Sequence, residues 1–233
     1  MCEDCRALLD ISEHQYCLCE KNPLRLPPEQ KKHGKCLKCY DKKLSGLYFA
    51  LSYKEKQLTK KLIYQFKYQP YIKDLAKTLA GILIEHFIIS KKNTDDIWDN
   101  GILMPVPLDK KKLKARGYNQ SEELAKELAK ILKIPLILDN LIKIKPTPSQ
   151  IGLSKEEREK NLLNAFAINP VRNAVSNGVN KNCAISEIAQ FSGKKVFLVD
   201  DVYTTGSTME ECAFVLRNSG AKSVWGICIA REG

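Results

Sequence analysis

Two adjacent carboxylates, Asp200 and Asp201, stand just ahead of Thr204-Thr205-Gly206-Ser207-Thr208. A run of hydroxyl residues that opens a helix offers side-chain and backbone donors to an anion, at the positive end of the helix dipole. Gly206 lets the backbone approach that anion with no Cβ in the way. The paired acids repel an anion, so they serve another part of the same ligand, either sugar hydroxyls or a magnesium ion. A ligand with a phosphate, vicinal hydroxyls and a metal is a phosphorylated ribose. The plainer alternative is a strand–turn–helix whose acids only cap the helix.

Cysteine forms a second constellation. Six of the nine cysteines fall before residue 41, as Cys2, Cys5, Cys17, Cys19, Cys36 and Cys39. Cys2/Cys5 and Cys36/Cys39 have the two-residue spacing by which a tight turn presents two thiolates to one zinc ion, and Cys17/Cys19 are close enough to supply two more. The sequence between them, with Pro23, Pro27, Pro28 and many lysines, is too polar to build its own core, so a metal has to supply the stability. We expect structural zinc on Cys17, Cys19, Cys36 and Cys39, with Cys2 and Cys5 left over and His33 as an alternative ligand.

A third set is basic. Arg116-Gly117-Tyr118-Asn119-Gln120 follows a lysine run at Lys110–Lys114. Arg116 is a bidentate anion donor with Asn119 and Gln120 beside it, suited to the pyrophosphate end of a ligand. Lys54, Lys56, Lys60, Lys61 and Lys67 share one arc of a helical wheel with Tyr64 and Tyr68. Such a face either grips phosphates while stacking bases or is merely the solvated side of an amphipathic helix.

The elements that must position these residues read as an α/β alternation. Val196–Val199 is apolar without alternation, the pattern of a strand buried on both faces of a parallel sheet. The helix after Thr208 turns Met209, Cys212, Ala213 and Leu216 inward and ends near Gly220. Upstream, Leu47–Tyr53 reads as a strand and Lys56–Tyr68 as a helix with Leu58, Leu62, Ile63 and Phe66 inside. Leu75–Ile89 reads as a helix, Lys91–Asn100 as a polar loop and Gly101–Leu108 as a strand. Asn119, with Glu122 three residues on, marks the start of a helix that buries Leu124, Ala125, Leu128, Ala129 and Leu132. Leu136–Lys145 and Asn164–Ile168 read as short strands, with Ser154 and Glu157 capping a helical piece between them. Asn169–Gln190 has no period and reads as a flexible insertion, and Lys222–Ala230 is a last apolar strand.

The stretch Asp200–Thr208 resembles the phosphoribosyl pyrophosphate (PRPP) binding motif of type I phosphoribosyltransferases. Taken with the cysteine pairs, Phe66-Lys67-Tyr68, Pro105-Val106-Pro107 and the Arg116–Gln120 block, and with Gln150, Arg158 and Asn161, it makes nearly the whole chain similar to the ComF family of phosphoribosyltransferase-like proteins. That resemblance implies a zinc-ribbon module at residues 1–45 joined to a phosphoribosyltransferase-like domain at 46–233. It also implies PRPP and magnesium as ligands, a role in DNA uptake during natural competence, and competence-machinery proteins as partners. In such a site Thr204–Thr208 fix the phosphate and Asp200 and Asp201 the ribose, where they are also the catalytic pair if the phosphoribosyl group is transferred. Family members with a double zinc ribbon carry four cysteine pairs, which is why Cys2 and Cys5 lack partners in this assignment. The rival reading is a PRPP-sensing module without catalysis that binds single-stranded DNA through Lys56, Lys60 and Lys67. Nucleobase salvage is disfavoured because it needs no zinc ribbon.

Composition agrees with anionic partners. Lys and Arg number 38 against 27 Asp and Glu, for a net charge of +11. The most apolar run, Gly81–Ile89, is short and holds Glu85 and His86, so no membrane insertion is expected. Without the apolar core of a signal peptide at the N-terminus, a cytoplasmic location is expected, with reduced cysteines.

Overall fold

The computed structural model describes residues 3–20, 22–27, 34–53, 57–68, 72–91, 95–145, 157, 161–169 and 193–232. Cys2, His33, Lys54, Lys56, Gln150, Ser154, Arg158 and the insertion expected at Asn169–Gln190, bar Asn169 itself, lie outside them. After a short helix α1 (Glu3–Ala7) and a single turn at Leu37–Cys39, the chain enters strand β1 (Gly46–Ser52). Helices α2 (Gln57–Lys67), α3 (Leu75–Ile89) and α4 (Asp95–Trp98) lead to β2 (Gly101–Pro105). Next come α5 (Lys110–Arg116), α6 (Gln120–Leu132), β3 (Leu141–Lys143) and β4 (Phe166–Ile168). The chain closes with β5 (Lys195–Tyr203), α7 (Ser207–Asn218) and β6 (Ser223–Arg231).

The main sheet has the order β1-β6-β5-β2, and its strands are all parallel. A central strand of such a sheet must be apolar on both sides. Val196, Phe197, Leu198 and Val199 are accordingly fully buried, with Phe197 and Val199 on one face and Val196 and Leu198 on the other. The first face is covered by α2, α3 and α6 through Leu62, Ile63, Phe66, Leu79, Leu83, Leu124 and Leu128. The second face is covered by α7, by the antiparallel β3–β4 ribbon and by the cysteine-bearing N-terminal segment. Leu18 and Leu26 from that segment share one buried cluster with Leu44, Leu47 and Phe49. The cysteine segment therefore roofs the sheet near the edge strand β1, where an α/β protein commonly places a helix.

Three elements differ from the sequence expectations. Lys91–Asn100, expected as a loop, contains α4, because Trp98 buries its indole against Phe87 and Phe197. The lysine run at Lys110–Lys114 is helical in α5, started by Asp109 accepting a hydrogen bond from Lys111 N at 2.9 Å and closed by Gly117 at φ 79. Strand β5 continues through Asp200 and Asp201 to Tyr203, so the acids lie within the strand rather than beyond its end. Among the described residues no helix is long and apolar enough to cross a membrane.

Candidate functional site

A cavity of about 510 Å³ opens at the carboxyl end of β5, the edge at which open parallel sheets hold their ligands. Its lining includes Asp200, Asp201 and every residue from Thr204 to Thr208, all of the positions expected to hold PRPP. Three other wall residues are Tyr53, Tyr68 and Glu232, of which sequence reasoning singled out Tyr68 alone, on the lysine-bearing helix. They come from the ends of β1, α2 and β6, and a strand terminus leaves no motif in sequence.

The floor of the cavity is a tight turn. Gly206 sits at φ 79, where a Cβ would lie 2.2 Å from the Tyr203 hydroxyl oxygen. Only glycine fits there without displacing a buried ring. Thr205 Oγ1 and Ser207 Oγ are 2.8 Å apart, and Ser207 N donates to Thr205 Oγ1 at 3.3 Å, which orders the hydroxyls around the first turn of α7. The first intrahelical bond there runs from Glu210 N to Gly206 O at 2.8 Å, so the preceding amides of the helix opening have no helical acceptor.

The acid pair is fixed from several directions. Asp200 Oδ1 accepts from Ser121 Oγ and from Asp201 N, both at 2.9 Å, and Asp201 Oδ1 accepts from Val202 N at 2.6 Å. Lys67 Nζ lies 2.8 Å from Asp201 Oδ1, with the two side chains 24% and 9% exposed. Lys67, expected on a lysine face that either grips nucleic-acid phosphates or is solvated, is thus the counter-ion of the acid pair. Burial would lower the Lys67 pKa, but the adjacent Asp201 carboxylate and its hydrogen bond outweigh that and raise it. Asp200 moves the other way from an ordinary carboxyl. Burial and then the charge of Asp201 push its pKa up to about 7, against the pull of Lys67 and of the Asp201 amide and Ser121 hydroxyl.

The Arg116–Gln120 block divides into latches and one cation, Arg116, set beside the cavity wall Tyr68. Tyr118 OH donates to Phe66 O at 2.7 Å, and Asn119 Nδ2 donates to Val106 O at 3.0 Å while its Oδ1 accepts from Ser121 N at 3.1 Å. Asn119 and Gln120 are buried, and Asn119 ties the start of α6 to the strand end at Val106. Arg116 Nη1 donates to Gln120 Oε1 at 2.9 Å, and its guanidinium lies 5.4 Å from the centroid of Tyr68, a wall of the cavity. Lys112 joins it from the same helix: burial and then Arg116 lower its pKa, and it feels the charges of Lys67 and Asp201. The Tyr118 latch satisfies a carbonyl in the last turn of α2, directly before Lys67. Tyr118→Phe should cost about 1–3 kcal/mol, the penalty of a buried acceptor left unpaired, read as a lower urea midpoint at unchanged slope.

Cys17, Cys19, Cys36 and Cys39 come together with all four sulfurs within 4.8 Å of one another. Cys36 Sγ is 3.5 Å from Cys19 Sγ and 3.6 Å from Cys39 Sγ. Zinc–thiolate bonds of about 2.3 Å in a tetrahedron separate the sulfurs by about 3.8 Å, so the donor set fits structural zinc. The four are also those expected from the sequence, while Cys5 lies in α1. Two hydrogen-bonded ties run from this cluster to the cavity. Arg231, 1% exposed, donates to Cys17 O at 2.7 Å and to Cys19 O, and its guanidinium lies 5.4 Å from the Tyr203 ring that underlies Gly206. The Glu210 carboxylate, in the first turn of α7, accepts from Lys43 N and from Leu44 N at 3.1 Å, just past Cys39. Neither tie has a signal in sequence, since each partner lies more than 160 residues away.

Comparison with known proteins gives the following likenesses. The model of the phosphoribosyl transferase domain family matches residues 119–233. Competence protein F of Haemophilus influenzae is 37% identical over 172 residues, covering 72% of this chain and 67% of that protein. DNA utilization protein YhgH of Salmonella typhimurium is 30% identical over 176 residues, covering 73% of this chain and 66% of that protein. Competence protein ComFC of Bacillus subtilis is 30% identical over 132 residues, covering 56% of this chain and 45% of that protein. These matches thus span between 45% and 67% of the three relatives' own length.

Proposed function

The chain belongs to the ComF family of phosphoribosyltransferase-like proteins, and from that premise we propose that it serves DNA uptake in natural competence as a protein that binds PRPP with magnesium. The observation that carries the reading is the cavity of about 510 Å³ between the Thr204–Thr208 turn and the Asp200/Asp201 pair. The turn takes the phosphate: its amides and ordered hydroxyls face the anion, and Gly206 permits the close approach. Asp200 and Asp201 take the ribose hydroxyls. With Lys67 already 2.8 Å from Asp201, the pair carries too little free charge to be a dedicated metal cage, and it suits hydrogen bonding to a sugar.

Magnesium, when bound, screens the pyrophosphate and makes it a better leaving group. Arg116 and Lys112 lie on the helix that meets the same end of the ligand. If transfer takes place, the carboxylates of Asp200 and Asp201 stabilise the positive charge that develops at the ribose carbon as pyrophosphate departs. The Cys17/Cys19/Cys36/Cys39 cluster holds zinc as a structural ion. DNA uptake comes to this chain from the family and from its likeness to competence protein F.

Calorimetric titration of the full chain with PRPP and magnesium tests the reading. The wild type should bind, and Thr205→Val and Gly206→Ala should each weaken binding by about tenfold or more, the second because a non-glycine residue at φ 79 costs about 1–3 kcal/mol. Absence of heat with the wild type, or wild-type affinity in both variants, would overturn it. Pyrophosphate release when nucleobases are added to that mixture as acceptors, lost in Asp200→Ala, marks a transferase, and PRPP binding with no release in the presence of any of them favours a sensor.

A further inference from the structure

A second cavity, of about 340 Å³, lies beside the first and shares three walls with it: Tyr53, Lys67 and Tyr68. Its other walls are Lys60, Lys61 and Tyr64 of α2, over the buried side chain of Ile63. Tyr64 and Tyr68, one helical turn apart, hold their ring centroids 4.9 Å apart at 33°. They are 58% and 38% exposed. Lys60 and Lys61 are exposed and have no ion pair among the described residues. Two adjoining aromatic rings left in water, with two unneutralised cations at their edge, form a site of mixed chemistry. It suits a flat ring that carries a negative charge.

We propose that this second cavity is a nucleotide subsite, taking one base against the Tyr64–Tyr68 platform and its phosphate on Lys60 and Lys61. An aliphatic ligand would leave the lysines unused, and an acidic peptide would leave the rings unused. A nucleotide uses both, since every base has a face that stacks on an aromatic ring and every nucleotide brings an anion. The volume lies at the low end of the ~300–1,000 Å³ typical of small-ligand sites, which limits it to a single nucleotide. The shared wall of Lys67 and Tyr68 sets that nucleotide next to whatever occupies the acid-lined pocket. Its role as the neighbour of a phosphoribosyl group therefore rests on the PRPP reading above, whereas the stacking and phosphate contacts do not. The nucleotide is either free or the terminal unit of a single strand, and the two sources present the same base and phosphate.

The full chain should be titrated calorimetrically with deoxyadenosine monophosphate and, separately, with a short deoxyadenosine oligomer bearing a terminal phosphate. Both should bind. Tyr64→Ala should weaken binding about tenfold or more, and Lys60→Ala/Lys61→Ala should weaken it and flatten its dependence on salt. All these side chains are exposed, so the variants should keep the wild-type unfolding midpoint, and their PRPP affinity should be unchanged. Equal affinity for the two ligands supports the subsite with a free nucleotide as its occupant. Markedly tighter binding of the oligomer supports it with a strand end. No binding of either ligand, or binding untouched by both variants, overturns it. If nucleotide binding responds to the variants while PRPP does not bind, the subsite stands and the PRPP reading fails. If PRPP binds and neither nucleotide ligand does, only the subsite fails.

Discussion

Stripping the metal with a chelator, or replacing Cys36 by serine, is expected to lower the thermal midpoint by on the order of 10 °C and to weaken PRPP binding in the same sample. The expectation follows from where the cysteine segment packs. Leu18 and Leu26 belong to the core on one side of the sheet, together with Leu47 and Phe49 of β1, so loosening the segment uncovers the sheet itself. Arg231 adds to the cost. Its buried guanidinium donates to the carbonyls of Cys17 and Cys19, which hold their place only while the thiolates are gathered. A buried charge that loses its partners costs about 3–5 kcal/mol, and each kcal/mol shifts the midpoint of a chain of this length by about 2–4 °C. The effect reaches the pocket because Arg231 packs over Tyr203, whose hydroxyl oxygen lies where a Gly206 Cβ would fall, and because Glu210 joins the first turn of α7 to Lys43 and Leu44. Differential scanning calorimetry before and after chelation, with metal analysis for about one zinc per chain, checks it. A chelated protein that keeps both midpoint and affinity would remove the metal from any structural role.

The same ties show where sequence reasoning ends. The acid pair, the hydroxyl turn and the four clustered cysteines are legible because each combines rare residue types at short spacing. Strand β5 is legible because burial on both faces removes the period from its apolar residues. Helix α5 was missed because a run of lysines has no apolar stripe, and its start depends on one capping carboxylate at Asp109. Lys67 shows the limit most clearly. On a helical wheel it belongs with Lys60 and Lys61, yet it is the last residue of α2, where the helix end meets β5 and Asp201 competes for its ammonium. A wheel carries no information on which residue of a face abuts another element. Arg231 was unreadable for a related reason, as a basic residue ending an apolar strand looks like a solvated terminus. It is buried because the cysteine segment folds over that end of β6.

The acid pair should also make stability and ligand binding respond to pH in opposite directions. The Asp200 pKa stands at about 7 in the folded chain, raised chiefly by burial and by Asp201, against an ordinary value of 3.8. A group whose folded pKa lies above its unfolded value contributes stability that is complete below the unfolded pKa and is lost as pH rises through the folded one. Between about pH 4 and about pH 7 the fold should therefore lose stability from this residue, while the carboxylate proposed to bind ribose becomes populated. Affinity for PRPP should rise over the upper part of that window. Asp200→Asn removes the titrating proton, so its urea midpoint should gain on the wild type steadily as pH increases through this range, and the rise in affinity should vanish. Lys67→Met tests the other half of the argument. It removes the cation that holds Asp200 down and pairs with Asp201, so the midpoint of the affinity curve should move to higher pH. Binding at neutral pH should fall by about tenfold or more, through lost attraction for the anionic ligand and through protonation of Asp200. Identical pH profiles in the wild type and Lys67→Met would mean that the ion pair does not set the charge of this site. Holding two acids side by side carries an electrostatic cost, and Lys67, 2.8 Å from Asp201, is the cation that offsets it.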